Sequence, residues 1–280
     1  MEDRAGALLD ELFDISGKVI VLTGAGGVLC GSLARGLAAL GAQVALLDLR
    51  PEAARFVADE ITQQGGQALA VATDVLSIEA LNMAAEQVLN RFGTVDALIN
   101  GAGGNHPQAT TTPETSLFDL PPEAFQRALG LNVMGTLLPV QVFGRIMAEH
   151  GHGDIINITS IIATRPLTNV PAYSAGKAAA KNLTEWLAVH VSQHYGHQIR
   201  VNALAPGFFM TNQNRFLLID EATGQPTPRG QKIIEHTPLG RYGEPEELLP
   251  AVIWLLSPHS GFVHGATIVI DGGFSVYSGV

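Results

Sequence analysis

Val19-Ile20-Val21-Leu22-Thr23-Gly24-Ala25-Gly26-Gly27-Val28-Leu29-Cys30-Gly31 is the stretch that decides the fold. Its first five residues form an apolar, β-branched run of strand character. A glycine-rich turn follows at once, and a helical pattern takes over at residues 29–39. Such a turn lets the backbone approach a pyrophosphate, and the helix N-terminus adds unpaired N–H donors. Gly24, Gly26, Gly27, Val28 and Leu29 are therefore candidate dinucleotide contacts. The competing reading of this segment alone is a plain strand-to-helix turn. Cys30 is expected to pack as a small apolar residue.

Working outward, strand-like runs recur at residues 44–48, 68–73, 97–100, 155–159, 201–205 and 267–270. Helical patterns separate most of them, at residues 51–64, 78–91, 122–149, 172–195 and 245–257. The alternation predicts a Rossmann-type, doubly wound, seven-stranded parallel sheet with helices on both faces. No composition break divides residues 1–280, so one domain is expected, with residues 1–17 as an N-terminal extension. Two segments fall outside the rhythm, a Thr/Pro-rich loop at 105–121 and the stretch 208–242. Both follow strands, so both should border a site beyond the strands' carboxyl ends, and 208–242 has the length of a lid.

A formal net charge of −10 makes nucleic acid and anionic membranes poor partners. The single cysteine excludes an intrachain disulfide and suits a reducing compartment. Residues 1–13 lack the basic-then-apolar pattern of a secretory signal, and no uncharged apolar stretch reaches transmembrane length. A cytoplasmic protein is expected.

The second strand ends at Asp48, whose carboxylate can accept hydrogen bonds from both ribose hydroxyls of adenosine and would repel a 2′-phosphate. This favours NAD over NADP, although the guanidinium of Arg50 could pair with a phosphate. Asn100-Gly101-Ala102-Gly103 follows the fourth strand, and its glycines would let the loop pass close to a cofactor. Tyr173 and Lys177 are four apart and share one helix face. An ammonium beside a phenol should lower its pKa from about 10 toward neutrality, fitting it to exchange a proton with an alcohol oxygen. Ser160 brings a hydroxyl to the end of the strand before them, and Asn132 with Gly135 is an unfavourable choice for mid-helix.

Asn132, Ser160, Tyr173 and Lys177, with the glycine turn, resemble the classical short-chain dehydrogenase/reductase family from Lys18 to Gly273. The resemblance implies that Ser160 orients the substrate oxygen and that Tyr173 is the general acid/base. Lys177 would hold the nicotinamide ribose, and Asn132 a water that links the lysine to solvent. It also implies cofactor contacts from Asp74 and Val75 after the third strand, from Asn100, Gly101, Ala102 and Gly103, and from Pro206, Gly207 and Thr211 after the sixth. Two departures stand out. The family's Thr-Gly-x-x-x-Gly-x-Gly has Val28 and Cys30 at its last two glycines, and its Asn-Asn-Ala-Gly has Gly101 at the second asparagine. The family also implies a homo-oligomer, expected as a tetramer, in which long helices pair across subunits.

Within the family, residues 103–107, 207–215 and the tail 274–280 resemble the short-chain-type D-mannonate oxidoreductases, or fructuronate reductases. The implied substrate is an open-chain sugar acid, which wants a cation for its carboxylate and amides or hydroxyls for the rest. Asn105, His106, Arg165, Gln213, Asn214, Arg215 and Lys232 are the candidate partners. Alternatives are a gluconate 5-dehydrogenase-like enzyme, a 3-oxoacyl reductase, and a non-catalytic dinucleotide sensor. His106 has no second ligand at metal spacing, so no metal is expected.

Overall fold

The computed structural model describes residues 11–211, 215–221 and 223–279. Seven parallel strands form one sheet: β1 Val19–Thr23, β2 Gln43–Asp48, β3 Gln67–Ala72, β4 Ala97–Asn100, β5 Gly153–Ile158, β6 Ile199–Pro206 and β7 Thr267–Ile270. Their order across the sheet is β3-β2-β1-β4-β5-β6-β7, the doubly wound arrangement expected. β1 pairs with β2 on one side (Val19 opposite Gln43) and with β4 on the other (Ile20 opposite Ala97). The order reverses between β1 and β4, which opens the crevice at their carboxyl ends where ligands bind in such sheets.

Among the described residues the helices are α1 Val28–Ala39, α2 Pro51–Gln63, α3 Ile78–Phe92, α4 Pro122–His150, α5 Pro171–His194, α6 Arg215–Leu218, α7 Pro228–His236 and α8 Leu249–Leu256. β1 is buried along its whole length, as its unbroken apolar run requires of a strand covered on both faces. Its side chains alternate between two cores. Ile20 and Leu22 join Leu33 of α1, Val57 of α2 and Val252 of α8. Val19 and Val21 join Leu81 of α3, Phe143 of α4 and Leu187 of α5. Phe143 is fully buried, and replacing it by Ala would cost about 3–5 kcal/mol.

Two expectations need correction. The stretch 208–242 carries two helices. α7 starts from a local signal: Thr227 accepts a hydrogen bond from the Gly230 N–H at 3.0 Å, and Pro228 fills the first turn. The last helical stretch is split into a 3₁₀ turn, Pro245–Leu248, and α8; Pro250, which has no N–H to give, stands in the first turn of α8. By length and composition α4 could cross a membrane, but its uncharged run is closed by Arg127 and Arg145. Half of its most apolar window is buried, and Val140, Phe143 and Met147 lie within the core.

Candidate active site

The glycine turn and the loop after β4 meet at the crevice. Gly24 has φ +66°, and a Cβ there would lie 2.9 Å from the Ala102 nitrogen, so both conformation and space require glycine. Thr23 ties the two loops together: its Oγ1 accepts hydrogen bonds from the N–H groups of Gly101 and Ala102, each at 3.1 Å. Sequence reading did not single out Thr23, although it ends β1 immediately before Gly24. Gly27 caps α1 without a side-chain bond, so Val28 and Leu29 begin a helix whose first turn has no side chain on its N–H groups. The narrow backbone cradle and this helix end fit a pyrophosphate.

Asp48 is buried at the end of β2. Its Oδ2 accepts from the Gly26 N–H and its Oδ1 from the Arg50 N–H, both at 2.9 Å. The carboxylate therefore shapes the turn, and its remaining lone pairs fit a ribose diol. Arg50 Nε lies 3.6 Å from Oδ1, so the guanidinium that could have met a 2′-phosphate is drawn toward Asp48. Asp74 is exposed and accepts from the Leu76 N–H at 2.9 Å, whereas Val75 is buried and approaches α4 at Gly135.

Asn100 needs a correction. Its side chain turns into the protein, donating to Asn157 Oδ1 at 2.9 Å and to the Thr136 carbonyl at 3.4 Å. It is 2% exposed, so it braces β4 and β5 and leaves only its backbone and the following glycines for a cofactor. Asn157 extends the chain by donating to Thr184 of α5, a link no local pattern announced.

Asn132 is fully buried in α4, and both ends of its carboxamide bond to the backbone. Nδ2 donates to the carbonyls of Gly104 and Ala128, each at 2.7 Å, while Oδ1 accepts from the Gly104 N–H at 3.2 Å. One carboxamide thus clamps both polar groups of Gly104 and holds the loop after β4. Gly176 lets α5 approach this point, since a Cβ there would lie 2.8 Å from Asn132 Cβ.

Ser160, Tyr173 and Lys177 come together above β5. Ser160 Oγ donates to the Pro206 carbonyl and accepts from the Ile162 N–H, each at 3.4 Å, and its hydroxyl faces the Tyr173 phenol. Lys177 is 5% exposed, donates to the Ile158 carbonyl at 2.8 Å, and places Nζ 5.8 Å from the Tyr173 ring centre. The expected lowering of the tyrosine pKa is reversed. Burial pushes the phenol up to about 12, and the neighbouring Ser160 hydroxyl opposes this only in part. The same burial brings Lys177 down to about 8, because its charged form also loses water.

Pro206 ends β6, and the Gly207 N–H donates to the Ile270 carbonyl at 2.8 Å. Thr211 accepts from the Arg215 N–H through its carbonyl at 2.9 Å. The sugar-acid partners are more scattered. Asn105 donates to Thr110 Oγ1 at 2.7 Å, and His106 Nδ1 accepts from the Gln108 N–H at 3.3 Å, so its Nε2 carries the proton in the neutral ring. Arg165, Arg215 and Lys232 are exposed, and among the described residues none forms an ion pair or bonds to Ser160, Tyr173 or Lys177. Gln213 and Asn214 lie outside the described residues. Across the crevice a groove of about 650 Å³ is lined by Thr111, Ile162, Thr164, Asn169, Ser174 and Ala175, among others. Its walls are joined at Asn169 (φ 71°), whose carbonyl and Oδ1 accept from the Thr111 N–H and hydroxyl at 2.9 and 3.2 Å. Among the described residues no three His, Cys, Asp or Glu side chains cluster as a metal would need.

A family model described as enoyl-(acyl carrier protein) reductase matches residues 28–275. An uncharacterized oxidoreductase of Haemophilus influenzae is 49% identical over 278 residues, covering 95% of this chain and 96% of the relative. An uncharacterized oxidoreductase of Bacillus subtilis, UxuB, is 47% identical over 276 residues, covering 95% and 98%. A solved Haemophilus structure with bound NAD, provisionally named a D-mannonate oxidoreductase, is 48% identical with a TM-score of 0.89, covering 95% of this chain and 98% of that one. Family model, relatives and site geometry agree: the chain belongs to the short-chain dehydrogenase/reductase family.

Proposed function

We propose that this chain is an NAD-dependent oxidoreductase that interconverts D-mannonate and D-fructuronate. The observation that carries the oxidoreductase reading is the convergence of Ser160, Tyr173 and Lys177 beside a backbone cradle for a dinucleotide. Asp48 at the ribose position and the NAD held by the similar Haemophilus structure support the choice of cofactor. That structure's name and the polar loops 103–107 and 207–215 support the sugar acid.

Bound nicotinamide would supply the hydride. The chain's own residues handle the proton and the geometry. Ser160 would donate to the substrate carbonyl oxygen, and Tyr173, kept protonated by burial, would pass its proton to that oxygen as it gains charge. Lys177, anchored on Ile158, would favour the phenolate that remains and bond the nicotinamide ribose. Gly24, Gly26, Gly27, Asp48 and the loop 100–103 would hold the nucleotide. The test is an absorbance assay of hexonates and keto-hexonates, including 5-keto-gluconate, with each nicotinamide cofactor. Turnover of D-fructuronate with NADH above all others is expected. Preference for 5-keto-gluconate or a 3-oxoacyl thioester would move the substrate, and no turnover of any carbonyl substrate would leave a dinucleotide-binding protein.

A cytoplasmic homotetramer completes the proposal. Trp186, Val189 and Tyr195 near the end of α5, and Val269 on the edge strand β7, are each at least half exposed and would be covered by other copies. Sedimentation at micromolar concentration should give four copies, and a stable monomer refutes this.

A further inference from the structure

Cys30 and Gly101 face each other at the base of the crevice, from α1 and from the loop after β4. A Cβ added to Gly101 would fall inside the Cys30 sulfur, and 2.9 Å from the Thr23 carbonyl oxygen, while lying 3.5 Å from Cys30 Cβ. The sulfur therefore fills the space that any other side chain at 101 would start from. Cys30 is 4% exposed, and burial pushes its thiol up to about 12, so it is a filler and not a nucleophile.

The contact has consequences further along the loop. A Cβ on Gly103 would lie 3.1 Å from Lys177 Nζ and 2.8 Å from Asn132 Oδ1, and Asn132 clamps Gly104 through two hydrogen bonds. The loop has little room to adjust between the sulfur at one end and the lysine at the other. Close-packed interiors transmit displacements of this kind instead of absorbing them.

We propose that Cys30 and Gly101 are a size-matched pair that seats the loop after β4. Through it, Cys30 is a positioning residue for the dinucleotide and for the Asn132–Lys177 end of the proton-transfer group. The functional half of this inference rests on the oxidoreductase reading, and the packing half does not.

The experiment compares G101A, C30A and the double variant C30A/G101A. NADH binding is read by fluorescence without substrate, and Cys30 accessibility by Ellman's reagent on the folded, cofactor-free protein. G101A is expected to weaken NADH binding by about tenfold or more, the scale of an overpacked contact, and to speed thiol labelling as the sulfur is displaced. In the double variant, the 3.5 Å spacing to residue 30's Cβ is ordinary contact, so most of the affinity returns; the close approach to Thr23 keeps recovery partial. C30A alone should raise the NADH Kd by about threefold, because the loop loses its wall. It should raise the KM for the nucleotide more than it lowers kcat, a split that general loss of stability would not produce. G101A binding NADH as wild type does, or a double variant no better than G101A, overturns the pairing. If G101A does not fold and the double variant does, the pairing stands. If neither folds, C30A decides, and wild-type affinity there overturns the positioning role. If wild-type protein binds no NADH, the oxidoreductase reading fails, and slow wild-type labelling against fast G101A labelling still decides the packing half.

Discussion

The two sides of the crevice are built on different principles. On the nucleotide side, recognition is made of backbone. Gly24 presses on Ala102, Thr23 bridges two N–H groups, and the Asp48 carboxylate is already committed to the turn it would share with a ribose. On the proposed substrate side, the candidate partners are side chains at the surface. Asn105, Arg165, Arg215 and Lys232 are exposed, and the three cations form no ion pair among the described residues. A ligand that never changes can be bound by groups the fold itself needs. A ligand that differs between relatives is better met by residues the fold can spare.

Between the two sides stands Tyr173, and its removal should have the largest effect. Tyr173→Phe keeps the ring and loses the proton, so kcat should fall by about a hundredfold or more, with NADH affinity held. Near-wild-type turnover would remove the phenol from the mechanism.

The nucleotide side predicts a double penalty. Asp48→Ala should narrow the preference for NADH over NADPH by about tenfold, since a buried carboxylate no longer meets the 2′-phosphate. It should also weaken NADH itself, because the Gly26 N–H loses its acceptor. A variant whose cofactor preference matches wild type would show that Arg50 governs the choice.

The substrate side predicts the opposite pattern. Replacing Arg165, Arg215 and Lys232 singly by Met should leave the melting temperature nearly unchanged. For the cation that meets the carboxylate, kcat/KM for D-fructuronate should drop by about tenfold or more, as for a charge-assisted hydrogen bond. Three variants that all act as wild type would hand the carboxylate to backbone N–H groups or to Asn105 and His106.

The smallest effect concerns Lys177 and stability. Its folded pKa of about 8 lies below its ordinary 10.5, so the folded state binds fewer protons than the unfolded state between those values. Unfolding free energy contributed by this group should therefore rise with pH from 8 toward 10. Cys30, raised from 9.0 to about 12, works against it above pH 9, and Tyr173, raised to about 12, above pH 10. Lys177→Met should flatten the rise, as followed by denaturant unfolding at pH 7.5, 8.5 and 9.5. An unaltered slope would show that the buried lysine is not its source.

What could be read from the chain followed the range of the forces involved. The β1 turn and the Tyr173–Lys177 spacing are local patterns, and both were legible. α7 was missed although Thr227-Pro228 marks its start, because a polar stretch with Pro and Gly reads more readily as loop. The phenol's pKa was not, because the desolvation that dominates it comes from residues distant in sequence. Nor were the inward turn of Asn100, the grip of Asn132 on Gly104, and the fit of Cys30 into Gly101. Each joins segments at least 28 residues apart, as with Asn132 and Gly104.

The strand order has a consequence for synthesis on the ribosome. β1 takes β2 as a neighbour early, but its other edge pairs with β4, whose last paired residue is Asn100. Until that residue leaves the exit tunnel, the emerging chain can assemble only β3-β2-β1, with the apolar edge of its central strand unpaired. Parallel pairings over such separations form late, and an open edge invites other chains meanwhile. The seam that holds the dinucleotide site is thus also the seam the nascent chain must close, and a codon-level pause before residue 100 would prolong its exposure.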